Sequence, residues 1–210
     1  MTEIVLLRHG QSYGNKNKIL LGITDLSLTE EGVSQAEIAA EHLREERFDA
    51  IYSSDLKRAY YTAKPHEKYH GCEVVVSKEL REEYNGVWDG MPLEEVLENY
   101  YDEFKNKFQL RDFRYPSGES HREASERLHN EFIRIAKLHD GGKVLIVSHS
   151  VAIRSFWYFL TNQTTLNMND SVERMNNCAY ARMIYENGRL FPVSYNEKDH
   201  LPPTDVVPLQ

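Results

Sequence analysis

Two short runs of β-branched and aliphatic residues end on a histidine. Ile4–Leu7 runs into Arg8-His9-Gly10, and Val144–Val147 runs into Ser148-His149-Ser150. Unbroken apolar runs of this length suit strands buried on both faces, which belong to parallel sheets covered by helices. Asp49–Ser53 and Glu73–Val76 read as two more strands, the Val-Val-Val of the latter also as buried. Helical patterns lie between them. Thr29 can cap a helix with Val33, Ala36, Ala40 and Leu43 near one face, and Ser54 or Asp55 can cap another through about Lys64, disturbed at its end by Pro65. Ser120-x-x-Glu123 is a capping-box match before a stripe of Ala124, Leu128, Phe132 and Ile135, and Gly141-Gly142 ends that helix. A further helix runs from Ser150 to about Leu160. Ala179–Tyr185 and Leu190–Tyr195 flank Asn187-Gly188, the signal of a type I′ hairpin. The order β-α-β-α-β-(insert)-α-β-α-β-β predicts an α/β fold with a mostly parallel six-stranded sheet, in which the terminal hairpin forces an antiparallel pairing. Ligands of such sheets bind beyond the carboxyl ends of the strands. His9 and His149 stand at two of those ends.

At 210 residues the chain is one domain's length, long enough to bury a core without staples. Its net charge of -8 argues against a nucleic-acid or anionic-membrane binder. Two cysteines, Cys72 and Cys178, exclude a disulfide scaffold, and no apolar run reaches the length of a signal-peptide core or a membrane span. The expected location is the reducing cytoplasm. The sequence leaves the oligomeric state open. The proline-bearing tail Leu201–Gln210 reads as mobile or draped.

The insert, about residues 89–117, reads as a cap embedded in a single domain spanning 1–210. It holds one or two short helices rich in aromatics, with basic residues between them. Tyr100, Tyr101 and Phe104 could wall a pocket, and Arg111 and Arg114 could meet a second anionic group. Taken singly, each aromatic fits a small satellite core better, with the basic residues solvated. His66-Glu67-Lys68-Tyr69-His70 satisfies the H-E-x-x-H zinc pattern. That pattern needs a continuous helix and a third ligand, whereas Pro65 and Gly71 bracket it at a helix end, so no metal site is expected.

Arg8-His9-Gly10-Gln11-Ser12 with Asn15 resembles the signature of the histidine phosphatase superfamily, the phosphoglycerate-mutase-like family. Further blocks follow in the family's order: Asp25-x-x-Leu28-Thr29-x-x-Gly32-x-x-Gln35-Ala36, and Ser53-Ser54-Asp55-Leu56-x-Arg58-Ala59-x-x-Thr62-Ala63. Then come Leu80-Arg81-Glu82 with Gly86-x-Trp88-x-Gly90, Gly118-Glu119-Ser120, and Ser148-His149-Ser150. A lone Arg-His-Gly arises easily by chance, but ordered blocks across residues 1 to 160 do not. The resemblance implies a three-layer α/β/α sandwich with one antiparallel strand among six. It also implies catalysis without a metal or organic cofactor, the arginines and histidines replacing the cation.

In this reading a neutral His9 attacks the phosphorus of a phosphomonoester and water hydrolyses the phosphohistidine. An ordinary strand-end histidine would be a partly buried core residue; the surrounding blocks reverse that expectation. Arg8 and Arg58 offer planar donors to the phosphoryl oxygens, and His149 donates beside them. Asn15, the backbone N–H groups of Gly22, Ile23 and Thr24, and the helix start at Ser150 are further expected phosphate ligands. By its position in the family pattern Glu82 resembles the general acid, which requires a raised pKa. The expected partner is a small-molecule phosphomonoester: a sugar phosphate, a phosphoglycerate, a nucleotide- or cobalamin-pathway intermediate, or a phosphoprotein side chain. Phosphoglycerate mutase shares the phosphohistidine and is the alternative. The short insert looks more like the phosphatase branch, since the mutases carry a longer one and must exclude water during transfer. A phospho-ligand-binding module is a third reading, opposed by the retention of both histidines, both arginines and Glu82.

Overall fold

The first strand, β1 (Thr2–Arg8), carries apolar side chains toward both sides of the sheet, so helices must cover both. The structure, a computed structural model, describes residues 1–107, 112–161 and 172–202. After β1 come α1 (Tyr13–Lys16), α2 (Glu30–His42), β2 (Ala50–Ser53), α3 (Lys57–Ala63), α4 (Glu67–His70) and β3 (Val74–Val76). Next are α5 (Leu93–Asn99), α6 (Tyr101–Asn106), α7 (His121–Leu138), β4 (Lys143–Ser148), α8 (Ser150–Leu160), β5 (Tyr180–Glu186) and β6 (Arg189–Glu197). Ile4 and Leu6 point to one side, with Val144 and Ile146 of β4, and pack with Leu128, Phe132 and Ile135 of α7 and Phe156 of α8. Val5 and Leu7 point to the other, with Leu145 and Val147, and pack with Ala36 and Ala39 of α2, Leu43 just after it, and Ala59 and Ala63 of α3. The result is the expected three-layer α/β/α sandwich.

The six strands lie in the order β3-β2-β4-β1-β5-β6. β3, β2, β4 and β1 pair in parallel, and β5 runs against both of its neighbours, β1 and β6. The hairpin turns where Asn187-Gly188 predicts, both residues having positive φ (50° and 82°). The parallel register sets Arg8 opposite Ser148. The chain leaves both central strands at the same level, where the His9 N–H donates to the Ser148 carbonyl at 3.0 Å.

Several expectations are corrected. β3 is an edge strand: Val75 and Val76 are 49% and 51% exposed, because it pairs with β2 alone. Val33 is half-exposed, and the small residues Ala36, Ala39 and Ala40 make the close contact of α2 instead. Leu56 caps α3 without a side-chain bond; Asp55 is held by Arg81 (2.7 and 2.6 Å). The Ser120–Glu123 capping box forms at α7 as read. Gly10 lies so close to α2 that a Cβ there would sit 2.5 Å from the Gly32 carbonyl oxygen, which fixes the loop after β1 against that helix.

Within the insert, α5 and α6 pack around Trp88, with Val96, Phe113 and Tyr115 in a satellite core of their own. His66 and His70 fall across a 3-10 turn and the four-residue α4, their ring centroids 6.0 Å apart. Among the described residues no three His, Cys, Asp or Glu side chains gather to hold a metal. Nor is any helix there long and apolar enough to cross a membrane. Leu201 packs on the core under α2, and the rest of the tail, 203–210, lies outside the described residues.

Candidate active site

The ends of β1 and β4 bring His9 and His149 together, their ring centroids 5.1 Å apart and their planes tilted by 59°. Both rings are buried. His9 Nδ1 lies 2.7 Å from the Gly10 carbonyl, which can only accept, so Nδ1 carries the proton and Nε2 keeps its lone pair. Burial, then the charges of Arg58 and Arg8, push the His9 pKa well below the usual range, and the ring is neutral at pH 7. His149 is lowered by burial and Arg58 likewise. Its tautomer is the opposite one. Arg58 Nε–H donates to His149 Nδ1 at 3.1 Å, so the proton sits on Nε2, which is buried and has no partner among the described residues.

Arg58 enters from α3 and is 1% exposed. Its other nitrogens donate to the carbonyls of Thr24 (2.8 Å) and Gly22 (2.7 Å), leaving two of its five N–H bonds for a ligand. Arg8 is anchored by one nitrogen to the Met175 carbonyl, while its Nε is buried without a partner among the described residues. Burial and the nearby Arg174 lower the Arg8 pKa to about 9, so it stays a cation at pH 7.

Glu82 lies over the start of α8. Its carboxylate accepts from the N–H groups of Val151 (3.1 Å) and Ala152 (2.7 Å). Burial and then the adjacent Glu83 raise its pKa despite those bonds and the charge of Arg58. A carboxyl that holds its proton more tightly than usual suits a general acid.

The secondary phosphate ligands expected from the sequence fare less well. The N–H groups of Gly22, Ile23 and Thr24 are taken by the Asp89 carboxylate, at 2.8 to 3.3 Å; the loop positions Arg58 through its carbonyls instead. Asn15 is linked to His9 only through Asn177. Its side-chain oxygen accepts from Ser12 N–H and from Asn177 Nδ2, and the Asn177 amide also donates to the His9 carbonyl. Ser150 is buried at the start of α8, but the next two N–H groups of that helix go to Glu82, so the helix end faces a carboxylate. Arg114 is exposed and paired with Glu123 and the Gly118 carbonyl, so it braces the start of α7 and stays out of the site. Arg111 lies outside the described residues.

Sequence reasoning missed the segment before β5. Met175 holds Arg8, Asn177 holds His9, and Arg174 Nε reaches toward the Ser150 hydroxyl at 3.4 Å. The available signal was the hairpin: a strand antiparallel to β1 must begin at the catalytic end of β1.

The sequence matches the histidine phosphatase superfamily, branch 1, over residues 4–198. It is 35% identical over 169 residues to a metal-independent phosphoserine phosphatase of Arabidopsis thaliana, covering 79% of this chain and 71% of that one. It is 31% identical over 192 residues to a probable phosphoglycerate mutase of Escherichia fergusonii, covering 89% and 86%. Crystal structures of the Entamoeba histolytica phosphoserine phosphatase hold phosphoserine in one case and 3-phosphoglyceric acid in another. They superpose with a TM-score of 0.83 at 26% identity, over 96% of this chain and all of that one. By sequence match and by architecture, the chain belongs to the histidine phosphatase superfamily.

Proposed function

We propose that the protein hydrolyses small phosphomonoesters through a phosphohistidine on His9. One observation carries this reading: the His149 ring packed against His9, and Arg8 just before His9, each hold a buried donor, Nε2 and Nε, that has no acceptor among the described residues. Buried donors left unpaired cost about 1–3 kcal/mol each, and a tetrahedral oxyanion bound there would satisfy both. His9 Nε2 forms the bond to phosphorus as the ester oxygen departs, and Glu82 gives that oxygen its proton. In the second half Glu82 takes a proton from water, whose oxygen displaces His9 and releases inorganic phosphate. Arg8 and Arg58 supply the positive charge that a metal supplies elsewhere, and the neutral His149 adds a hydrogen-bond donor.

A second anionic group on the substrate is supported by other cations than the sequence suggested. Arg174 and the half-buried Lys107 lie in the field of Glu82, and Arg154 in that of Glu83. We read the substrate as a small phosphomonoester carrying a carboxylate, with residues 89–117 as the cap over it; the E. histolytica relative is the precedent. Mutase action shares every step up to the phosphohistidine, and the relative of E. fergusonii keeps it as the second reading.

A panel of phosphometabolites in EDTA tests both. Phosphate release from carboxylate-bearing esters, lost in His9→Ala, is the expected outcome. Interconversion of 3- and 2-phosphoglycerate without phosphate release overturns hydrolysis in favour of the mutase. Retention of activity in His9→Ala overturns the mechanism.

A further inference from the structure

The residue after Glu82 is also a glutamate, and it is buried deeper than any surface carboxylate could be. Glu83 has 0% exposure. Its Oε2 accepts from His121 Nδ1 of α7 at 2.8 Å, and its Oε1 from the Ser155 hydroxyl of α8 at 2.5 Å. Tyr115 of the insert stands over the same imidazole, its ring 6.0 Å from that of His121. Four parts of the chain thus meet at a carboxylate with no part in the phosphoryl transfer. Burial alone would push the Glu83 proton affinity up, but the charge and hydrogen bond of His121 and the bond from Ser155 outweigh it and hold it down. A charge kept in the core at this expense calls for a reason, because a packed apolar side chain in its place is usually no less stable.

The reason lies in what surrounds Glu82. Arg58 from α3, Arg8 from β1 and Arg174 from the segment before β5 act on it, and two N–H groups of α8 bond it. Lys107 after α6 and Arg154 on α8 add positive charge on the Glu83 side. Every one of these favours the ionised form of Glu82, and an ionised Glu82 has no proton to give. We propose that Glu83 is a positioning residue of the reaction: anchored by His121 and Ser155, its buried negative charge offsets these cations and keeps the leaving-group proton on Glu82. This rests on Glu82 being the general acid. It adds that the acid's working pH range is set by its sequence neighbour.

The test compares an alkyl with an aryl phosphate. An alkoxide leaving group needs the acid, whereas p-nitrophenolate leaves without it. In Glu83→Gln the basic limb of the kcat/KM profile for the alkyl ester moves to lower pH. Above both limbs the alkyl rate falls about tenfold per pH unit of movement, while the aryl rate falls far less. Superimposed alkyl profiles for wild type and variant, or equal losses on both esters, overturn the proposal. If Glu83→Gln alone does not fold, Glu83→Gln/His121→Gln places two amides that can bond each other in the same space and is read by the same profiles. Glu82→Gln separates the two ideas. If it leaves alkyl turnover intact, the general-acid reading itself fails; if it abolishes alkyl turnover but Glu83→Gln leaves the profile in place, only the role of Glu83 fails.

Discussion

The Nδ1 proton of His9 is committed to the Gly10 carbonyl, and the Nε2 proton of His149 is fixed by Arg58, so the two imidazoles face the site in opposite tautomers. One offers a lone pair and the other a hydrogen. The burial that keeps both neutral also shapes stability. His66 shares this property outside the site: neither ring nitrogen has a partner among the described residues, and burial with the charges of His70 and Lys68 lowers its pKa to about 3. The unfolded chain binds a proton at such a ring below about pH 6.5, while the folded chain does not. Stability is therefore full above that pH and falls as the pH drops through it. At pH 5 His66 alone costs about 2 kcal/mol relative to neutral pH. Urea unfolding of His66→Leu at pH 7 and pH 5 is expected to show a loss smaller by about that amount than in wild type; identical losses contradict the account. The two histidines of the candidate site were legible because strand-end position is a local property of sequence. The roles of Gly22, Ile23 and Thr24 were not, because their partner Asp89 lies more than sixty positions away.

Between elements, what matters is which end of each faces the site. The amino end of α8 is closed by Glu82, the loop between α1 and α2 is closed by Asp89, and the segment before β5 folds over β1. None of these closures follows from periodicity, which identifies a helix or strand without saying what satisfies its ends. The same limit explains β3: three valines read alike in a central or an edge strand until the pairing order is known. Asp89 gives this scale its prediction. Asp89→Ala frees three N–H groups of the Gly22–Thr24 loop, whose carbonyls aim Arg58 at His149. The variant is expected to lose about 1–2 kcal/mol of stability. Its kcat/KM is expected to fall roughly tenfold, because Arg58 is no longer held in register. Unchanged kcat/KM, with the stability loss observed, would mean that Arg58 is aimed by something else.

At the scale of the whole molecule, the parallel register of β1 with β4 is the step from sequence to function. Each strand is ordinary by itself, and helices on both faces make their pairing the only way to bury both. Once Arg8 lies opposite Ser148, residues about 140 positions apart become neighbours and the next residue of each strand is a histidine. β5 then adds a second, antiparallel boundary, bringing Met175 and Asn177 to the same end. The central claim is that His9 takes the phosphoryl group. Rapid quenching of the enzyme with radiolabelled substrate, followed by peptide mapping, tests it directly. The account predicts an acid-labile, base-stable label on His9 that forms and decays at the rate of turnover and is absent from His9→Ala. Label on His149, or turnover with no labelled enzyme at any time, would contradict it.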